Sequence, residues 1–156
     1  MANDINLSDL SKFLQERASQ INAHLFNAIN ICGEKVRSDI QYDMAHTPIN
    51  TERSYYTNNK TKAHHPSLPG NPPAPDTGNL RNSVRYEVYN NDGDVYGVVG
   101  TTQKDADYGL YLEYGTSDGR IVPRPWLRPA MRKNNDFIRR TIAKAVKDTL
   151  TGEQTW

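Results

Sequence analysis

Along the first third of the chain, apolar residues fall at Leu7, Leu10, Leu14, Ala18, Ile21, Leu25, Ala28, Cys32, Val36 and Ile40. Steps of three and four keep them on one stripe, which predicts a single amphipathic helix over Leu7 to Met44. Asn6 or Ser8 suits its N-cap. Unbroken, it would run on the order of 55 Å at 1.5 Å per residue, longer than a small domain. Part of the stripe is therefore free to pack elsewhere, and near-heptad spacing admits a coiled-coil partner. Gly33 is the natural place for a bend. Asn22, Asn27 and Asn30 belong on the outer face.

Periodicity then stops. Residues 45–75 are rich in Pro, Asn, Thr and Tyr and read as a loop far longer than ordinary connections. Loops of this length act as functional arms or order on a partner, so this one is expected to contact a neighbouring subunit. Its proline-dense end, Pro66 to Pro75, excludes helix and central strand and favours an extended path.

Regular structure resumes at Asp76-Thr77, which can cap a helical turn over Gly78 to Ser83. Val84, Tyr86 and Val88 alternate with Arg85, Glu87 and Tyr89, as in a half-buried strand. Asn90-Asn91-Asp92-Gly93-Asp94 reads as a hairpin turn, and Val95 to Gly100 as the return strand. Gly97 and Gly100 weaken that strand or let another backbone come close. After a polar loop, Tyr108 to Tyr114 fits a short helix with Tyr108, Tyr111 and Leu112 on one side and Gly115 as C-cap. Ile121-Val122 could form a third strand. Pro125 or Pro129 marks the start of a last helix. Its stripe is Leu127, Met131, Ile138, Ile142, Ala145 and Thr149, widened by Ala130, Phe137 and Val146. Arg128, Arg132, Lys133, Arg139, Arg140, Lys144 and Lys147 occupy the remaining surface. The tail, 151–156, should be loose unless Trp156 docks.

The expected architecture is α+β within a single domain: 7–44 a long helix, 45–75 an arm, and 76–150 a compact core. In that core a small antiparallel sheet built on the hairpin carries a basic C-terminal helix.

Composition narrows the function. The chain has 156 residues, 36% of them hydrophobic, and a mean hydropathy of −0.80. That is lean for a self-contained globule and suits a protein completed by partners. No run approaches a membrane span. Met1-Ala2-Asn3-Asp4 offers neither a basic start nor an apolar block, so no secretory signal is expected. One cysteine, Cys32, excludes an internal disulfide framework and suits a reducing cytoplasm.

The net charge of +1 conceals a segregation. Residues 76–118 hold three basic and eight acidic side chains, and residues 119–156 nine basic and three acidic. Opposite patches of this kind suit head-to-tail packing of identical subunits. An ordinary solvated surface would account for the same counts.

No catalytic, metal or cofactor constellation emerges. Asp76-Thr77-Gly78 spells the aspartic-protease tripeptide, but such a carboxylate sits at the end of an apolar strand, whereas Pro-Ala-Pro precedes this one. His24, His46, His64 and His65 match no zinc spacing. There is no nucleophile elbow and no phosphate-cradling glycine loop. Nucleic-acid binding is the rival class. The last helix is basic, and Arg53, Lys60, Lys62, His64 and His65 give the middle loop a basic, tyrosine-bearing character. Near-neutral overall charge and the lack of a helix-turn-helix or zinc pattern weigh against a dedicated DNA binder.

Three phrases in order carry a family likeness: Asp76-Thr77-Gly78-Asn79-Leu80-Arg81-Asn82-Ser83, then Leu112-Glu113-Tyr114-Gly115-Thr116, then Pro123-Arg124-Pro125-Trp126-Leu127-Arg128-Pro129. They resemble the tail-completion and neck proteins of long-tailed bacteriophages, whose members carry a T-G-x-L-x-x-S turn, a hydrophobic E-x-G-T and an arginine- and proline-flanked aromatic before a last helix. The likeness covers about the second half of the chain and the leading helix. The first helix and the proline-rich loop are longer than it leads one to expect.

The resemblance implies a structural virion protein, made in the host cytoplasm and without enzymatic activity or cofactor. It would assemble with its own copies as a ring or collar at the head–tail junction. Its partners would be neck, head-completion and tail proteins, with non-specific contact to genomic DNA and none to membrane. The contact residues expected are Tyr55, Tyr56, His64 and His65 on the arm, Glu113 and Tyr114, and the arginines Arg120, Arg124, Arg128 and Arg132.

Overall fold

In the computed structural model, residues 6–56, 63–102 and 106–152 are described. The order is α1 (Leu7–Ala45), β1 (Tyr55–Tyr56), β2 (Ala63–His64), α2 (Asn79–Ser83), β3 (Val84–Asn91), β4 (Asp94–Thr101), α3 (Ala106–Tyr114) and α4 (Leu127–Thr151). The expected α+β architecture holds, with α4 packed on α1 and against the sheet.

Helix α1 is the spine. Asn6 caps it by accepting the Ser8 N–H at 3.1 Å. Its 39 residues form one continuous helix. Gly33 lies inside that run. That glycine is buried because a Cβ there would stand 2.5 Å from the Tyr86 ring. Gly97 does the same for Ile29, whose Cγ2 lies 2.6 Å from where a Cβ would sit. The two glycines let the hairpin lie flat along the helix. The stripe is buried only from Ala28 onward, through Cys32, Val36, Ile40 and Met44. Upstream, Leu7, Leu10, Phe13 and Leu14 are exposed.

β3 and β4 form a regular antiparallel ladder from Val84↔Thr101 to Asn91↔Asp94. Asp92 and Gly93 close it with φ of 50° and 98°, the positive pair a two-residue type I′ loop requires. Val84 is fully buried, and Tyr86 and Val88 share its face.

Helix α4 uses a less apolar face than the periodicity predicts. Ala130, Asn134, Ala145, Asp148 and Thr149 are buried, whereas Met131 and Phe137 are 41% and 38% exposed. Polar clamps tie it to α1. Asn134 donates to Asp39 at 2.8 Å and to its own Ala130 carbonyl at 2.9 Å. Lys133 pairs with Asp43 at 3.0 Å. Arg17 donates to the Thr149 carbonyl at 2.8 Å, and His24 Nδ1 lies 2.6 Å from Thr149 Oγ1. Gly152 closes α4 with φ 77°. Of the expected loose tail, 151–156, Thr151 ends α4 and Gly152 caps it, and residues 153–156 lie outside the described residues.

The apolar core joins Val36, Ile40 and Met44 of α1 to Val84, Leu112, Trp126 and Ala130. Leu80, Val99, Ile121, Leu127 and Ile138 pack around it.

The 45–75 segment folds back on itself. Ile49 bridges Ser67, and β1 pairs with β2 through Tyr55↔His64 and Tyr56↔Ala63. Its return limb is fastened by Leu68 N–H to the Pro48 carbonyl (3.0 Å), Gly70 N–H to the Pro123 carbonyl (3.2 Å) and Thr47 Oγ1 to the Pro72 carbonyl (2.8 Å). The proline-rich limb cannot extend a sheet, yet its carbonyls and remaining N–H groups still find partners.

Candidate functional site

Two neighbouring constructions occupy the end of the molecule where α1 stops, and both draw on the expected contact residues.

The first is a junction between α3 and α4. Trp126 at the α4 N-cap makes no side-chain cap bond, so the first N–H groups of the helix need acceptors from elsewhere. Glu113 of α3 supplies them. Its Oε2 accepts from the N–H groups of Trp126 (2.6 Å) and Leu127 (2.9 Å). Its Oε1 accepts from the N–H (3.1 Å) and Nε (2.8 Å) of Arg128. The guanidinium of Arg128 also donates to the Glu113 carbonyl and lies 4.4 Å over the Tyr114 ring. Trp126 Nε1 donates to the Gly109 carbonyl at 3.0 Å. Burial alone would raise the Glu113 pKa, but the donors of Leu127, Arg128 and Trp126 outweigh it and hold the carboxyl below its ordinary value.

Glu113 is 3% exposed and all its bonds lie within the chain. Within the chain it serves as an internal helix cap, with Arg128 as its counter-ion.

Around this junction the backbone turns tightly. Gly115 has φ 78°, and a Cβ there would stand 2.8 Å from the Ile121 carbonyl oxygen. The Thr116 N–H donates to that carbonyl at 3.1 Å, so Ile121-Val122 lies in a turn rather than a strand. On α3, Leu112 is buried but Tyr108, Tyr111 and Tyr114 are 55%, 46% and 58% exposed. The expected shared face therefore splits, because Gly109 and Leu112 take the core side. At the turn of residues 76–83 the cap also differs. Gly78 takes the N-cap position with φ 81°, and Thr77 Oγ1 accepts from the Asn79 N–H at 3.3 Å. Asp76 lies instead 3.9 Å from His64.

The second construction is a basic pocket of about 240 Å³ between the folded-back segment and the 120–124 turn. Arg53, His64, Arg120 and Arg124 line it, with Ser67 at its wall. Among the described residues the Arg124 side chain donates to carbonyls, those of Ser67 (3.4 Å) and Val122 (3.3 Å). Arg120 is 86% exposed and pairs with Asp118 at 3.2 Å. The Thr116 hydroxyl and the Arg120 N–H hold that aspartate's pKa down. Ser67 is 1% exposed and its hydroxyl has no hydrogen-bond partner.

The structure thus gathers His64, Arg120 and Arg124 from the expected contact set and adds Arg53. His65 stands apart, with Nδ1 3.0 Å from the Arg53 carbonyl. Arg132 lies exposed on α4, away from the pocket lining. Tyr55 and Tyr56 form β1, but their side chains lie outside the described residues, as do Lys60 and Lys62. Ser67 and Asn134 escaped the sequence reading because buried serine and asparagine leave no periodic trace.

A family model described as "Bacteriophage HK97-gp10, putative tail-component" (HK97-gp10-like) matches residues 57–115. The central segment carries the signature of a phage tail component. It includes the turn at 76–83 and the second phrase up to Gly115, with Glu113. No curated protein and no solved structure matches the chain. A phage tail component is a virion protein that works among other phage structural proteins. Among the described residues no helix is long and apolar enough to cross a membrane.

Proposed function

We propose that this chain is a tail-completion or neck component, several copies of which assemble as a ring or collar at the head–tail junction and make it competent for joining. The tail-component match over 57–115 carries this reading. The matched segment supplies Glu113 to the α3–α4 junction, whose polar groups are satisfied internally, and no catalytic role is assigned to it. Groups suited to protein contact stand on it and beside it: the exposed α3 tyrosines and Val122, and the pocket arginines. In this reading the partners are other copies of the chain and adjoining head-completion and tail proteins.

Electron microscopy of lysates from a phage carrying a stop codon in this gene tests the reading. Full heads beside unattached tails are expected, and added purified protein should join them. Intact infectious virions from such a lysate would sink it.

DNA contact is a second role, favoured by the exposed row Arg132, Arg139, Arg140 and Lys147 along α4. A ring at the junction surrounds the path of the genome, and such a row would track phosphates without reading bases. Retention of duplex DNA that falls steeply with salt and is lost on replacing these four residues by Gln would establish it.

A further inference from the structure

We propose that the pocket lined by Arg53, His64, Arg120 and Arg124 is an oxyanion site whose occupant is the acidic hairpin tip, Asp92 and Asp94, of a second copy of this chain. The proposal rests on the assembling role argued above and specifies the contact that builds the assembly.

The pocket is prepared for an anion. Arg53 and Arg124 have no carboxylate partner among the described residues, and the side-chain bonds of Arg124 end on neutral carbonyls. A carboxylate entering the pocket could accept charge-assisted bonds from the guanidinium groups that line it. The Ser67 hydroxyl, buried and without a partner at the pocket wall, is a further donor in want of an acceptor.

The tip has the complementary form. Asp92 and Asp94 are exposed, and neither forms an ion pair among the described residues. The type I′ turn presents the two carboxylates together at the apex of a ribbon. Behind them Tyr89 and Tyr96 stack at 5.3 Å and remain 39% and 44% exposed. At the pocket mouth Tyr108 and Val122 are likewise half exposed. A charged apex with an aromatic collar thus faces a charged socket with an apolar rim, the arrangement that shields a contact pair from water.

The tip cannot reach its own pocket. Gly93 sits beside Asn22, with the asparagine Nδ2 3.5 Å from where a Cβ would lie. The pocket lies past the other end of the core, where Leu68 bonds the Pro48 carbonyl. From residue 22 to residue 44 the helix alone spans about 33 Å. Donor and socket at opposite ends of one molecule make a heterologous contact, which propagates from copy to copy and closes into a ring when the rotation allows.

Sedimentation velocity of the full chain over a concentration series tests this with two charge-reversed proteins, Arg53→Glu/Arg124→Glu and Asp92→Lys/Asp94→Lys. Circular dichroism confirms that each is folded, and Arg53→Glu alone, at an exposed side chain, serves if the double pocket variant is not. Wild type should associate, and each variant alone should weaken association by roughly thirty-fold or more. An equimolar mixture should recover it, because each unaltered surface meets its unaltered counterpart and the reversed pair is again complementary. Variants that associate like wild type, a mixture that stays monomeric, or a wild type monomeric at every concentration would overturn the proposal. So would loss of duplex DNA retention in the pocket variant with self-association intact, which would make phosphate the occupant. None of these outcomes decides the head–tail joining role, which stands or falls on the stop-codon lysate.

Discussion

At the scale of the residue, Glu113 carries the largest consequence. It replaces the missing side-chain cap of α4 and lies at the positive end of that helix's dipole while paired with Arg128. Replacing it by Gln puts an amide donor among four donors and leaves Arg128 without its partner. A loss on the order of 3 kcal/mol is expected by denaturant unfolding. The folded-state pKa is depressed, so this contribution is fully present above the unfolded value of about 4.3. It is lost as the pH falls through the lower folded value. Glu113→Gln should therefore flatten the acid limb of the stability profile; an unchanged limb would dissociate the cap from acid lability. Gly115 is the other fixed position. At φ 78°, with the Ile121 oxygen 2.8 Å from any Cβ, Gly115→Ala should lower the thermal midpoint by several degrees. Arg128→Glu, attractive on sequence as an assembly probe, would set a carboxylate against Glu113 and report on folding instead.

At the scale of the element, α1 divides in two. From Ala28 to Met44 it is the floor of the core; from Leu7 to Leu14 its apolar residues are exposed. Ile40→Ala should cost about 2–5 kcal/mol, as expected for truncating a fully buried side chain. Replacing Leu7, Leu10 and Leu14 together by Gln should shift stability by no more than about 0.5 kcal/mol per site in the same denaturation experiment. A large loss there would mean that the upstream half is covered in solution. The helix and its extent were legible because a three-and-four spacing holds over ten apolar positions. The hairpin was legible from Asp92-Gly93 between alternating runs. What Gly33 does was not, because a glycine that admits Tyr86 across the fold and one that bends a helix look alike in a sequence. The α3 face was misjudged because nine residues with three exposed tyrosines give no clear period, and tertiary contact with Trp126 decided it.

At the scale of the whole molecule, a core built by α1, the hairpin and α4 carries an excursion that contributes to the pocket more than to the fold. The three family-like phrases were legible, and the structure explains the second and third as one construction in which Glu113 caps the helix that Trp126 begins. The pocket was only partly legible, since Arg53 and Ser67 join Arg120 and Arg124 through a fold-back that irregular sequence does not announce. The excursion leaves and returns at a ready-made closure. Ile49 bridges Ser67, and the Asn50 N–H donates to the Pro66 carbonyl at 2.7 Å. Replacing residues 51–64 by a short glycine-containing turn should therefore leave the core folded. The closed ends are already antiparallel neighbours, and loop entropy changes slowly with length. The same deletion removes Arg53 and His64 from the pocket. A thermal midpoint within about 5 °C of wild type, with self-association abolished, is the expected result. Collapse of the fold would mean that residues 51–64 themselves support the core. Retained association would mean that the contact surface lies on the core alone, and the exposed α3 tyrosines would then be the residues to replace.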